Sequence, residues 1–200
     1  MTERERLVQL LVERSVRTGD FVLASGARSS YYVDCRTTTT HAEGLYLVGR
    51  LGFAALPEPH PDAIGGLTMG ADPVACAIAH ASWIAGRPVH AFSVRKEPKA
   101  HGTGRRIEGS FRPGQRVVVV EDVITSGGSA LRACEAVWTE GGEIVGVLAL
   151  VDREEGGREA IEAAGYPVRT LFGISELLRA SERSSTSVPP QTPETPQSHA

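Results

Sequence analysis

Two hundred residues are enough for one α/β domain with a sizeable core and small additions, and 41% hydrophobic with 22% charged residues is an ordinary balance for a globular chain. A formal charge of -3 advertises no nucleic-acid surface, and no apolar run approaches the ~20 residues that cross a bilayer. The charged opening MTERERLVQLL is not signal-like, so a cytoplasmic protein with no membrane and no nucleic-acid partner is expected. Cys35, Cys76 and Cys134 lie far apart without CxxC spacing, and the histidines show neither HxH nor HExxH pairing, so reduced thiols and no protein-ligated metal are expected.

Taken in order, residues 2–17 carry one helical stripe through Leu7, Val8, Leu11, Val12 and Val16, with Thr2 and Glu5 spaced as a capping box. Residues 21–23 and 31–34 read as short strands around a Ser25-Gly26 turn. A helix over 41–56 turns Leu45, Val48, Leu51 and Ala55 inward and ends before a proline-bounded linker at 57–61. A strand at 63–66 leads into a glycine-rich loop, 65–73, and a helix over 74–85 with Pro73 in its first turn. The strand at 89–94 is followed by a basic loop, 95–106, broken by Pro98, Gly102 and Gly104. After the stretch 116–130 come a helix at 131–140 stopped by Gly141-Gly142, a strand at 144–151, a helix at 158–164, a strand at 167–172 and a helix at 174–180. From Ser181 the composition turns to Ser, Thr, Pro and Gln, predicting a domain over 1–180 and a disordered tail without catalytic parts over 181–200. The strand-helix alternation from Ala63 implies a central parallel sheet flanked by helices, with ligands at the carboxyl ends of its strands.

The stretch RVVVVEDVITSGGSA, 116–130, concentrates the chemistry. Val117 to Val120 are β-branched and read as a strand buried on both faces, with Glu121 and Asp122 where it ends. Thr125, Ser126, Gly127, Gly128 and Ser129 then allow a tight loop whose N–H groups converge just before a helix, an anion cradle. Two carboxylates repel an anion, so they must face something else, such as sugar hydroxyls or a metal ion. A ribose 5-phosphate satisfies both halves. Neither the Gly-Lys-Ser/Thr phosphate loop nor GxGxxG occurs here, and an ordinary Gly/Ser turn would not explain the acidic pair.

At these residues the chain resembles the phosphoribosyltransferases, whose signature is a hydrophobic strand, two acids and a Thr/Ser/Gly loop. The resemblance implies that Glu121 and Asp122 hold the ribose hydroxyls while Val123, Ile124, Thr125, Ser126, Gly127, Gly128 and Ser129 bind the 5-phosphate of phosphoribosyl pyrophosphate. The pattern F-x-L-x-S-G-x-x-S-x-Y-Y, 21–32, is similar to the N-terminal segment of orotate phosphoribosyltransferases and puts Tyr32 and Val33 at the pyrimidine-contacting pair. R-K-x-x-K-x-H-G, 95–102, resembles their mobile catalytic loop, which implies Arg95, Lys96, Lys99 and His101 as pyrophosphate ligands and a homodimer sharing the 95–106 loop between active sites. By the same likeness Thr68 and Met69 lie in the pyrophosphate loop, Arg153 meets the orotate carboxylate, and Lys99, His101 and Asp122 are the catalytic group. Magnesium bound mainly through phosphoribosyl pyrophosphate is implied as well.

The family further implies a type I phosphoribosyltransferase fold with a small N-terminal hood within 1–60. It implies transfer of ribose 5-phosphate to N1 of orotate, giving orotidine 5-monophosphate in pyrimidine synthesis. Ala24 and Met69 depart from the pattern, since many relatives carry lysine there. A phosphoribosyltransferase for another base should lack the paired tyrosines and the K-x-x-K-x-H loop, and a sensor of phosphoribosyl pyrophosphate that regulates transcription should carry a basic DNA-binding unit. A relative that has lost activity or changed its base stays open through Ala24 and Met69.

Overall fold

The computed structural model describes residues 1–22, 26, 28–97 and 106–186, with the backbone alone at 184–186. Helix α1 (Glu3–Arg14) starts on the expected capping box: the Thr2 hydroxyl accepts the Glu5 N–H at 3.2 Å, and the Glu5 carboxylate accepts the Thr2 N–H at 2.7 Å. It ends earlier than the apolar stripe suggested, because Val16 and Arg17 enter strand β1 (Val16–Val22), which pairs antiparallel with β2 (Arg28–Val33). Val16 is buried either way, so its place in the stripe was uninformative. Both strands are longer than expected, and Leu23, Ala24, Ser25 and Ala27 of the intervening turn lie outside the described residues.

A short helix not anticipated, α2 (Arg36–Thr39), precedes α3 (Ala42–Ala54). The inward face of α3 is rotated from expectation: Val48 is buried, but with Gly44, Leu47, Gly49 and Gly52, while Leu45 faces out and Leu51 and Ala55 are half-buried. Strand β3 (Ala63–Leu67) takes in Gly65 and Gly66, where the expected strand and loop overlapped, and runs one residue further; side chains on the two glycines would strike the Phe92 and Val120 carbonyls. Helix α4 (Ala71–Ile84) therefore begins at Ala71, with Pro73 inside its first turn.

Strand β4 (His90–Val94) pairs antiparallel with a three-residue strand not foreseen, β5 (Ile107–Gly109). Strand β6 (Arg116–Ile124) runs past the acidic pair, so Glu121 and Asp122 sit within the strand rather than beyond it. Helix α5 (Gly128–Thr139), strand β7 (Glu143–Asp152), helix α6 (Gly157–Ala163), strand β8 (Val168–Gly173) and helix α7 (Ile174–Thr186) complete the described chain. Helix α7 runs six residues into the expected tail; buried Leu177 and the Arg4–Glu176 ion pair dock it on α1, and Ser181-Glu182-Arg183 do not oppose helix. Residues 187–200 of that tail lie outside the described residues.

The sheet order is β5-β4-β3-β6-β7-β8, parallel except at the β5 edge. The four valines of β6 alternate between two cores: Val118 and Val120 face the layer of α1, α3, α4 and α7, while Val117 and Val119 face α5 and α6. That is the double burial their run predicts. Because β3 leads outward to β4 while β6 lies on its other side, the strand order reverses between β3 and β6, and a crevice opens at their carboxyl ends.

Candidate active site

That crevice holds an open cavity of about 410 Å³. The end of β2 supplies Tyr32 and Val33, followed by Asp34, Cys35 and Arg36; the end of β3 and the turn after it supply Leu67, Thr68, Met69 and Gly70; β6, α5 and the loop between them supply Glu121, Asp122, Val123, Thr125, Ser129 and Arg132; Lys96 and Arg153 complete the lining. Eleven residues predicted from motifs scattered over the chain thus meet around one space.

Glu121 is 7% exposed, and its Oε2 has no hydrogen-bond partner among the described residues. Burial first, and then the neighbouring charge of Asp122, raises its pKa from 4.5 to about 8. Burial raises Asp122 as well, offset in part by hydrogen bonds that include the Val123 N–H donating to Oδ1 at 3.0 Å. A charged pair so placed demands a cation or hydroxyl donors. Gly70 permits the approach: a Cβ there would stand 2.6 Å from Cγ of Asp122.

The cradle follows directly. Gly127 has φ +80° and caps α5, and a Cβ on it would lie 2.7 Å from the Gly157 carbonyl oxygen, so glycine is required by both backbone and space. Thr125, Ser126, Gly127 and Ser129 line a hollow of about 70 Å³ together with Glu121 and Val123. Ile124 belongs to this stretch by its backbone; its side chain is buried in the core and its carbonyl accepts the Arg153 N–H at 3.0 Å. Gly128 opens α5 beside the Arg132 guanidinium.

Arg153, one residue past β7, is buried to 9% exposure; its Nη2 lies 2.8 Å from Glu155 Oε1 and its guanidinium stacks 5.0 Å from the Tyr31 ring. The Tyr31 hydroxyl donates to the same Glu155 oxygen at 2.9 Å, and Nε of Arg153 has no hydrogen-bond partner among the described residues. Strand alternation sends Tyr31 toward Arg153 and Tyr32 toward Phe21, 5.8 Å between centroids, so the two tyrosines do different work.

Arg95 stands apart from the cavity, half exposed and 4.0 Å from Glu108 across β5. Lys99 and His101 lie outside the described residues, as do Pro98, Gly102, Gly104 and Arg105. Sequence reasoning missed Asp34, Arg36 and Arg132. Arg36 clasps Asp34 through Nε and Nη2, both at 2.8 Å, which lowers the Asp34 pKa. The available signal was an Asp and an Arg two apart leaving a strand.

Comparison with known proteins agrees with this geometry. Residues 60–165 match the family described as the phosphoribosyl transferase domain. The orotate phosphoribosyltransferase of Aquifex aeolicus is 52% identical over 181 residues, 89% of this chain and 99% of that protein. The chain belongs to the orotate phosphoribosyltransferase family. A solved Mycobacterium tuberculosis orotate phosphoribosyltransferase in complex with Fe(III) dicitrate superimposes with TM-score 0.80 at 49% identity, covering 88% of this chain and 99% of the other. The structure of the same enzyme in complex with 5-phospho-alpha-D-ribosyl 1-diphosphate gives 0.76 at 45% identity with the same coverage. As an orotate phosphoribosyltransferase family member the chain is an enzyme of the pentosyltransferase class, and its sheet, preceded by the two-stranded hairpin, is the type I phosphoribosyltransferase fold anticipated from the motifs.

Proposed function

We propose that this chain transfers ribose 5-phosphate from phosphoribosyl pyrophosphate to N1 of orotate, releasing pyrophosphate and orotidine 5-monophosphate for pyrimidine nucleotide synthesis. The observation that carries this reading is the meeting of Glu121, Asp122, the cradle ahead of α5 and Arg153 in one crevice. Sugar hydroxyls, a phosphate and a planar carboxylate each find a partner there. Glu121 and Asp122 accept the ribose hydroxyls, residues 123–129 hold the 5-phosphate, and Arg153 grips the base carboxylate with Tyr32 and Val33 against the ring. With the sugar fixed at both ends, its C1 gains positive charge as the bond to pyrophosphate loosens, and N1 attacks from the opposite face. Positioning and electrostatics supply the rate.

Arg95, Lys96, Lys99, His101 and the Thr68-Met69 turn are assigned to the departing pyrophosphate, whose growing charge they offset. The orphaned Oε2 of Glu121 beside Asp122 fits a divalent cation. Among the described residues no group of three or more His, Cys, Asp or Glu converges, so the sugar donor and water would supply the rest of such a shell. Magnesium, when bound, neutralises pyrophosphate charge.

A homodimer is part of the proposal, with the 95–106 loop serving the neighbouring subunit. In its support, Leu45, Tyr46 and Ile84 line an open apolar hollow of about 660 Å³ between α3 and α4, and Trp83 beside it is 72% exposed. We place the enzyme in the cytoplasm on the strength of its substrates; no helix among the described residues is long and apolar enough to cross a membrane. Mixing the protein with orotate, phosphoribosyl pyrophosphate and magnesium should deplete orotate's ultraviolet absorbance. Turnover of uracil or hypoxanthine with none of orotate would overturn the assignment.

A further inference from the structure

Met69 brings no charge to a site for a polyanion, and the cradle has only neutral N–H and hydroxyl donors plus a helix end worth roughly half an elementary charge. A phosphate monoester dianion calls for a full cation beside them. Arg132 stands one helical turn after Ser129, and its Nη2 donates to the Ser129 hydroxyl at 3.3 Å. Its Nη1 lies 3.9 Å from where a Cβ on Gly128 would be, so the guanidinium hangs over the opening of α5. It lines the main cavity with Glu121, Thr125 and Ser129, and its charge pulls the Glu121 pKa down against the larger effect of burial.

Of the other two guanidinium groups of that cavity, Arg36 is paired with Asp34, and Arg153, beside Glu155, is the one assigned to the base carboxylate. Arg132 forms no ion pair among the described residues. Glu121, nine-tenths buried with an unpartnered oxygen, lines both the cavity and the small hollow, so both spaces are shaped for a polar guest.

We propose that Arg132 is a binding residue for the 5-phosphate of the sugar donor, its guanidinium closing over the anion that the 125–129 loop holds from below. The inference rests on the reading of this cavity as a phosphoribosyl pyrophosphate site. A fork held by the Ser129 hydroxyl loses little freedom on accepting a phosphate, and the contact is charge-assisted.

Calorimetric titration with ribose 5-phosphate, and separately with pyrophosphate, distinguishes the two ends of the donor. Arg132→Gln should weaken ribose 5-phosphate binding roughly tenfold to a hundredfold, with Arg132→Lys recovering part of it and pyrophosphate binding holding. In turnover, KM for the sugar donor should rise by a similar factor while kcat and KM for orotate hold. Unchanged ribose 5-phosphate affinity in Arg132→Gln, or a loss confined to pyrophosphate, overturns the role of Arg132. A wild-type protein that binds no ribose 5-phosphate overturns the reading of the cavity itself, and the role with it. Arg132 is exposed, so the variants should fold normally, which thermal melting checks.

Discussion

Glu121 is a carboxylic acid kept where a carboxylate is costly. Its pKa rises from 4.5 to about 8 through burial and the charge of Asp122, so the folded chain binds a proton that the unfolded chain releases at lower pH. The raised value means that this contribution to stability is complete below about pH 4.5 and is lost as pH rises through about 8. At roughly 1.4 kcal/mol per pKa unit between 4.5 and about 8, the loss is on the order of 5 kcal/mol. Glu121→Gln carries no proton to lose, so its unfolding free energy should decline less between about pH 5 and pH 8 than that of the wild type. Denaturant titrations at several pH values measure this, and parallel curves for the two proteins would refute it. Under the proposed function the same group would be released from its penalty when hydroxyls or a cation arrive. Its chemistry was readable from two acids at a strand end; its depth was not, because burial depends on what the turn after β3 brings against it.

The seam between α3 and α4 holds the turn before α4 in place, and it is built on glycine. A Cβ on Gly49 would lie 2.5 Å from the Ala77 carbonyl oxygen, a backbone atom that moves only if the helices part, whereas one on Gly52 would meet Cδ1 and Cγ1 of the Ile78 side chain. Alanine gains about 1 kcal/mol of helix propensity at either site, while overpacking costs roughly 1–3 kcal/mol. The balance predicts that Gly49→Ala destabilises by about 1–2 kcal/mol and that Gly52→Ala stays near neutral, because a side-chain end swings away. Chemical denaturation decides it: a Gly49→Ala protein as stable as wild type means the seam is looser than its geometry. Glycine also explains most of what the sequence concealed. Helix and strand periods were legible wherever side chains express them, as in α1, β4 and the valines of β6. Gly44, Gly49 and Gly52 carry no such mark, so the inward face of α3 was read rotated from its true centre. The starts of α4 and α5, at Ala71 and Gly128, were each placed three residues late, since Gly70 and Gly127 look like loop. Strand β5 is too short to show a period, and Arg36 and Arg132 resemble ordinary surface charge until the fold sets them beside the acids.

At the scale of the whole molecule, the question is whose loop serves whose cavity. The described body carries the acidic pair, the cradle and Arg153, while Lys99 and His101, assigned to pyrophosphate, lie between Glu97 and Arg106. If the loop acts on the neighbouring subunit, each active site joins one chain's body to the other's loop, as an isologous dimer allows. A Lys99→Ala chain then has a sound body and a defective loop, and an Asp122→Asn chain the reverse. Each alone should turn over orotate poorly, since one loses a leaving-group cation and the other a sugar contact. Mixed in equal amounts and allowed to exchange, half of the dimers pair unlike chains, and each such dimer has one of its two sites wholly intact. Activity should therefore recover to about a quarter of the wild-type value. A loop acting within its own subunit leaves no intact site in any pairing, so the mixture would do no better than the mean of its parents. Substituting Trp83 and Ile84 with polar residues to separate the subunits should abolish the recovery, which ties it to the apolar face of α3 and α4 rather than to dilution or reassembly artefacts.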